Sequence, residues 1–327
     1  EIAKMNDLLA AAGASTVAYD IVFSENDRTS PNRVIARLGD KIPAQLVDSI
    51  SLPDNDEILA QSFSDSAVVT GYFLDYSELP SSNDAAMSKT GINLSGTMPE
   101  NNLQTFSGNI PPIDKLLNAA TGNGFVTIQG DGDGIVRAAP MIASLNGQLV
   151  ASLSAEALRV AQGAGAITLK SSDGSGETQE TDPDIVALKI GQFETPLTAN
   201  GSLYMYYREP IAEQTISAWK IMTGALNAAD QERLIGGHII LIGAGAQGLR
   251  DLRATPLASA DLGVNVHAQA LEQIINGQFL VRPDWAEGLE RMLLLFFGLL
   301  MAISLPYTGA LRGGLLGAFT LAAIVGG

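Results

Sequence analysis

The sequence predicts a layered α/β domain with a mixed sheet, followed by transmembrane helices. Segments whose apolar residues recur at helical spacing alternate with short runs rich in β-branched and aromatic residues, the pattern of helices feeding buried strands. Polar loops separate these segments up to about residue 285. After Glu287 the polar loops stop, and two uncharged apolar runs joined by a short turn close the chain. The expected division is residues 1–285 as the α/β domain and 286–327 as a membrane hairpin cut before its second span is complete.

The elements follow in order. Ile2, Met5, Leu8, Leu9 and Ala12 share a helical face, and Gly13 stops it. The run 15–22 reads as a buried strand. Asp54, with Glu57 three residues on, opens a second helix as a capping box, and that helix feeds a strand over 67–74. Residues 75–123, dense in Ser, Asn, Pro and Gly, read as a long irregular excursion. A strand over 124–129, a turn at 131–134 and an extended piece over 135–143 follow. Leu153, Ala157, Val160 and Ala161 stripe a helix that Gly163 ends, and 171–184 is a solvated loop. The pieces 185–190 and 203–207 read as a small antiparallel hairpin. Next come a helix near 216–223, a strong strand over 238–243 and a helix from about Val264 that Gly277 ends.

Composition excludes several classes. Nineteen basic against 35 acidic residues give a net charge of −16, which repels phosphate backbones, so nucleic acid is not an expected partner. No cysteine and only His238 and His267 are present, so thiol nucleophiles, Cys-based zinc sites and histidine-rich metal centres are not expected. The chain has no Walker loop, G-x-S-x-G elbow or suitably placed pair of catalytic carboxylates, and no metal or cofactor is expected.

The run from Leu289 to Leu305 carries no charge after Arg291, and 313–327 carries none at all. A span needs roughly 20 apolar residues, close to the first run with its flanks. Trp285 and Tyr307 stand where interfacial aromatics would sit, but the flanking arginines do not decide orientation.

Some motifs have two readings. Gly243-Ala-Gly245-Ala-Gln-Gly248 after a strand matches the dinucleotide fingerprint, yet Pro256 interrupts the required helix and Glu272 stands on a helix rather than a strand end. A tight strand-to-loop turn accounts for the glycines. Asp131-Gly-Asp133-Gly134 lacks the later ligands of a calcium loop and reads as a turn. Asp20, Glu25, Asp27 and Arg28 line a loop at a strand's carboxyl end, where α/β proteins bind ligands; a salt-bridged loop is the alternative. His267 reads as a packed or capping histidine.

Three segments in series resemble one family. Ala18-Tyr-Asp20-Ile-Val-Phe23-Ser-Glu25-Asn-Asp27-Arg28 is similar to its opening strand and acidic loop. Asp131-Gly-Asp133-Gly134-Ile-Val-Arg137-Ala-Ala-Pro140 is similar to its Asp-Gly-x-x-Arg turn. Ile239 to Gly243, Gly248-Leu-Arg-Asp251, Thr255-Pro256 and Gly263-Val-Asn-Val-His267-Ala268 are similar to its C-terminal signature. This is the second type of CHASE domain, the cyclase/histidine-kinase-associated sensory extracellular module, and the resemblance covers about residues 1–285. It implies an extracytoplasmic sensor on an inner membrane, facing the periplasm. It also implies an N-terminal anchor and first strand ahead of this chain, further spans after it, and a cytoplasmic output. That output is a nucleotide cyclase making cAMP in the first place, a histidine or Ser/Thr kinase in the second, and the chain itself is not an enzyme. The implied partners are the membrane, a second copy of the chain, and an extracytoplasmic ligand or protein. The candidate ligand contacts are Asp20, Glu25, Asp27, Arg28, Asp133, Arg137 and Asp251. An accessory subunit of a membrane complex and a dinucleotide-binding enzyme are the alternatives.

Overall fold

In the computed structural model the chain is described at residues 1–38, 54–77, 89–98, 102–174, 183–209, 211–245, 251–281, 283, 285–304 and 317–318. It divides into two units, Glu1–Leu280 and Val281–Gly327. The first opens with α1 (Ile2–Ala11), β1 (Thr16–Asp20), α2 (Pro31–Leu38), α3 (Asn55–Ser64) and β2 (Val68–Asp75). There follow β3 (Gly91–Ser95), β4 (Thr105–Phe106), β5 (Gly108–Ile110), α4 (Asp114–Ala119) and β6 (Gly122–Phe125). The middle holds β7 (Ala138–Pro140), β8 (Ile142–Leu145), β9 (Gln148–Ala151), α5 (Leu153–Ala161), β10 (Ala166–Ser171), β11 (Ile185–Ile190), β12 (Phe193–Pro196) and β13 (Ser202–Tyr204). The unit ends with α6 (Ala218–Met222), α7 (Ala228–Leu234), β14 (Ile239–Gly243), β15 (Leu252–Arg253), β16 (Asp261–Leu262) and α8 (Gly263–Asn276).

The main sheet has the order β14–β1–β2–β6, all parallel, with β5 antiparallel to the far end of β2. Val17 and Tyr19 of β1 face one layer, where Leu9 of α1, Leu59 and Phe63 of α3, and Leu116 of α4 are buried with them. Ala18, one position out of phase, faces the opposite layer with Leu153 and Ala157 of α5 and with Val266, Ala270 and Ile274 of α8. Strands covered on both faces explain why 15–22 and 238–243 are so apolar. A second sheet, β12–β11–β10–β3, buries Ile167, Leu169, Leu188 and Ile190 in that same second core. The fold is thus mixed α/β with layered sheets, as the alternating pattern predicts.

Several local expectations hold. Asp54 caps α3 by accepting from Asp56 N–H, though Glu57 pairs with Lys115 at 2.6 Å instead of closing a capping box. Gly277 ends α8 at φ +65°, a left-handed turn that a side chain resists.

Others are corrected. Residues 75–123 are not an irregular excursion: those of them that are described supply β3, β4, β5, α4 and the start of β6. These pieces are short and gain their hydrogen bonds from distant strands, so no local periodicity marks them. The pieces 185–190 and 203–207 do not form a hairpin. β11 pairs with β10 and β12, while β13 pairs with β7, Ser202 lying opposite Pro140.

In the second unit, α9 (Trp285–Ser304) is a 20-residue helix. Among the described residues no helix is long and apolar enough to cross a membrane. Glu290 and Arg291 lie in its first half, so the uncharged stretch is 292–304, about 20 Å at 1.5 Å per residue. The expected turn over 306–312 and nearly all of 313–327 lie outside the described residues, as do Gly248 of the glycine string and 175–182 of the solvated loop.

Candidate functional site

Chain order within the main sheet locates a site. From β1 the chain moves outward to β2 and β6, then returns to the other side of β1 to lay down β14. The strand order therefore reverses between β1 and β14, and the crevice at their carboxyl ends is where open α/β sheets bind ligands. Asp20 ends β1 there, directly opposite Gly243, which ends β14. By alternation Asp20 lies on the Ala18 side, the side of α5 and α8.

After Gly243 the chain passes the crevice again at Asp251 and Arg253. The Arg253 guanidinium lies 2.9 Å from the Asp251 carboxylate. Asp251 in turn abuts the start of α8: its carbonyl accepts from Gly263 N–H at 2.8 Å, and a Cβ on Gly263 would stand 2.4 Å from Asp251 Oδ2. Only glycine permits that approach. Gly243 is equally confined, since a Cβ there would meet the Val264 side chain at 2.5 Å. One residue of each of two elements is thus pared to hydrogen so that the start of α8 can sit on the end of β14.

Asp20 has no comparable support. Among the described residues none donates a hydrogen bond to its carboxylate, and Arg253 Nε is buried without a partner. Burial raises the Asp20 pKa to about 7, the Asp251 charge adds to the rise, and Arg253 opposes it. Beneath Arg253, His267 is buried in α8 with Nδ1 2.9 Å from Ser154 Oγ of α5. Burial drives its pKa down to about 4; the Val126 main chain opposes that shift and Arg253 reinforces it. The imidazole is thus neutral near pH 7, a packed histidine tying two helices together.

The Asp-Gly-x-x-Arg turn lies alongside. Ile135 bridges to Ala254, and Val136 N–H donates to the Ala254 carbonyl at 2.8 Å, so the turn abuts the strand that carries Arg253. Arg137 holds Asp131 and Asp133, each at 2.8 Å, with all three side chains about half exposed. Hydrogen bonds from Arg137, and then from the Ile135 main chain, lower the Asp133 pKa to about 2.

The rest of the acidic loop is elsewhere. Arg28 pairs with Glu25 at the surface. Asp27 accepts from Thr29 N–H at 2.8 Å and from Asn55 Nδ2 at 2.8 Å, fastening the loop to the start of α3. Thr29 and then Asn55 hold its carboxyl below the usual range. The structure therefore gathers Asp20 and Asp251 at the sheet's switch point, sets Asp133 and Arg137 against the neighbouring strand, and leaves Glu25, Asp27 and Arg28 as a loop clasp. Arg253 was not singled out by sequence reasoning. Its signal was weak but present: it lies two residues from Asp251, so both side chains of an extended segment share a face.

The segment after the glycine string is extended at β15, and the next helix in the described chain opens only at Gly263. A dinucleotide fingerprint needs a helix at the string itself.

The three sequence segments that resemble one family converge here: β1 pairs with β14, and the turn at 131–137 bridges to the strand between them and α8. The CHASE2 domain family matches residues 1–303. The chain belongs to the CHASE2 domain family. CHASE2 domains are extracellular sensory domains of signalling proteins, and the first unit is a sensory fold of this kind. No curated protein and no solved structure matches the chain.

Proposed function

We propose that this CHASE2 chain is the periplasmic sensory region of an inner-membrane receptor, and that it regulates a cytoplasmic output domain. The observation that carries the reading is the family match over residues 1–303 together with what lies at its end. α8 lines the candidate site at its amino end, and eight residues, 277–284, separate it from the apolar α9. A signal that shifts α8 needs only this connector to reach the helix that follows.

In this reading 286–327 forms membrane spans, and the output is a nucleotide cyclase making cAMP, with a histidine or Ser/Thr kinase as the second choice. Two copies act together, and the stimulus shifts the population between two arrangements of α8 and the spans. The acidic surface, at −16 overall, favours an uncharged, cationic or protein stimulus over a nucleic acid.

Reporter fusions test the topology. A reporter active only outside the cytoplasm, joined after Val281, is expected to be active in cells. Cyclic AMP is then measured in the intact receptor and in a version lacking residues 1–280. A reporter active only when cytoplasmic, or cyclic AMP and kinase output unchanged by the deletion, would overturn the proposal.

A further inference from the structure

The cluster at the switch point holds two carboxylates, Asp20 and Asp251, and one guanidinium, Arg253. The carboxylates are not equivalent. Asp251 has Arg253 at 2.9 Å and lies against the first residue of α8, where the helix dipole favours negative charge. Asp20 sits at the end of a buried strand with no hydrogen-bond donor among the described residues. A half-buried carboxylate without donors holds its proton more readily than one in water. Arg253 Nε, buried and unpartnered among the described residues, is the donor left over.

We propose that Asp20 is a proton-binding switch: protonated, it leaves Arg253 to Asp251 and α8 seated, and ionised, it competes for Arg253 and loosens Asp251 from the start of α8. This rests on the sensory reading for its biological use and names the proton as a stimulus. It does not rest on it for the protonation itself.

Among the described residues the groups facing Asp20 are few. β14 contributes Gly243, β2 contributes Thr70 and Gly71 beside Tyr19, and the segment after β14 brings Asp251 and Arg253. α8 brings His267, which titrates near 4 and stays neutral through the range in question. α5 carries a buried charge, Glu156, but it is bound by Arg159 at 2.7 Å and packs against Gly122 at the opposite end of β6. The nearby Asp131, Asp133 and Arg137 satisfy one another. The proton-dependent change in local charge therefore falls on Asp20, and Gly263 makes it mechanical: its N–H donates to the Asp251 carbonyl at 2.8 Å and Leu252 pairs with Leu262, so a displacement of Asp251 is passed by the main chain to the start of α8.

The absence of cysteine makes the test direct. The full chain in detergent micelles carries one introduced cysteine, Ala268→Cys, at an exposed position of α8, labelled with an environment-sensitive fluorophore. Emission read from pH 5 to 9 is expected to titrate once, near neutral, and Asp20→Asn is expected to abolish the change. Asp251→Asn should move the midpoint down and Arg253→Gln should move it up, each by about one unit, because one removes a like charge and the other an opposite one. A titration that persists in Asp20→Asn, midpoints that move in the same direction, or no titration in the parent would overturn the proposal. Should Asp20→Asn fail to fold, the parent titration and the Asp251→Asn midpoint decide the matter alone. Emission that titrates while receptor output stays constant over the same range would uphold the switch and rule out the proton as the receptor's stimulus, whereas the sensory reading itself fails only on the topology and deletion tests, so the two fail separately.

Discussion

Two clusters of identical composition lie on segments of this molecule joined by the bridge from Ile135 to Ala254, and they behave oppositely. Each has two aspartates and one arginine: Asp131, Asp133 and Arg137 on the turn, and Asp20, Asp251 and Arg253 in the crevice. In the first, Arg137 reaches both carboxylates at 2.8 Å, water supports what it does not, and the Asp133 pKa falls to about 2. In the second, Arg253 is committed to Asp251, Asp20 is half-buried with no donor among the described residues, and its pKa climbs to about 7. Residue types do not set the charge state. What differs is whether the second carboxylate is reached by a donor, and whether solvent can replace a missing one.

The largest test of that contrast removes each arginine. Arg253→Leu strands two carboxylates in a partly buried crevice and is expected to destabilise the domain by roughly 2–3 kcal/mol at pH 8. Most of that loss should be recovered at pH 5, when Asp20 takes a proton. Arg137→Leu is expected to leave the melting temperature nearly unchanged at both values, since its partners stay solvated. Equal losses at the two sites, followed by calorimetry, would break the comparison.

A smaller effect of opposite sign is expected from Asp20→Asn. Because the folded-state pKa of Asp20 is raised, the folded chain holds this proton more tightly than the unfolded one. Its stability contribution is complete below about pH 4 and is lost as pH rises through 7. Asp20→Asn should therefore stabilise the protein by about 1–2 kcal/mol at pH 8 and do little at pH 4. His267 runs the other way, its neutral form favouring the fold above about pH 6.5, with that contribution lost as pH falls toward 4. The difference between variant and parent melting curves isolates Asp20 from it.

Gly263→Ala sharpens the mechanical half of the comparison. Its Cβ would press on Asp251 Oδ2, and the expected loss is about 1 kcal/mol. The Asp20 midpoint should move with it, as the Asp251 charge is displaced. A variant that melts like the parent and titrates at the same pH would show that the start of α8 is not seated on Asp251.

The smallest effect belongs to Asp133→Asn. The lowered pKa of Asp133 supports the fold above about pH 4, and that support is lost as pH falls through 2. The variant should fall slightly below the parent at pH 7, by no more than an exposed ion pair contributes, and converge with it in acid, losing part of the acid-induced unfolding limb in a circular-dichroism titration.

How much of this was legible in the sequence depends on range. Ala18 to Asp20 and Ile239 to Gly243 announced buried strands because both of their faces are covered by helices. Asp54 announced its helix start, and Gly277 its helix stop, because caps are local events. The strands between 91 and 110 were not legible, being two to five residues long and paired with segments far away. Asp20 and Asp251 were named as candidates from their motifs, but Glu25, Asp27 and Arg28 were grouped with Asp20 only because they follow it in sequence.

The sequence by itself thus determined the alternation of helices and strands, the acidic surface, the absence of thiols and the apolar close of the chain, all of which depend on composition and on neighbours within a few residues. Only the tertiary structure decided which acids come together at the crevice. Asp20 and Asp251 meet because β14 returns to the open side of β1 across more than two hundred residues of chain. The pKa of a carboxylate depends on the donors and the water within a few ångströms of it, and chain order does not specify those distances.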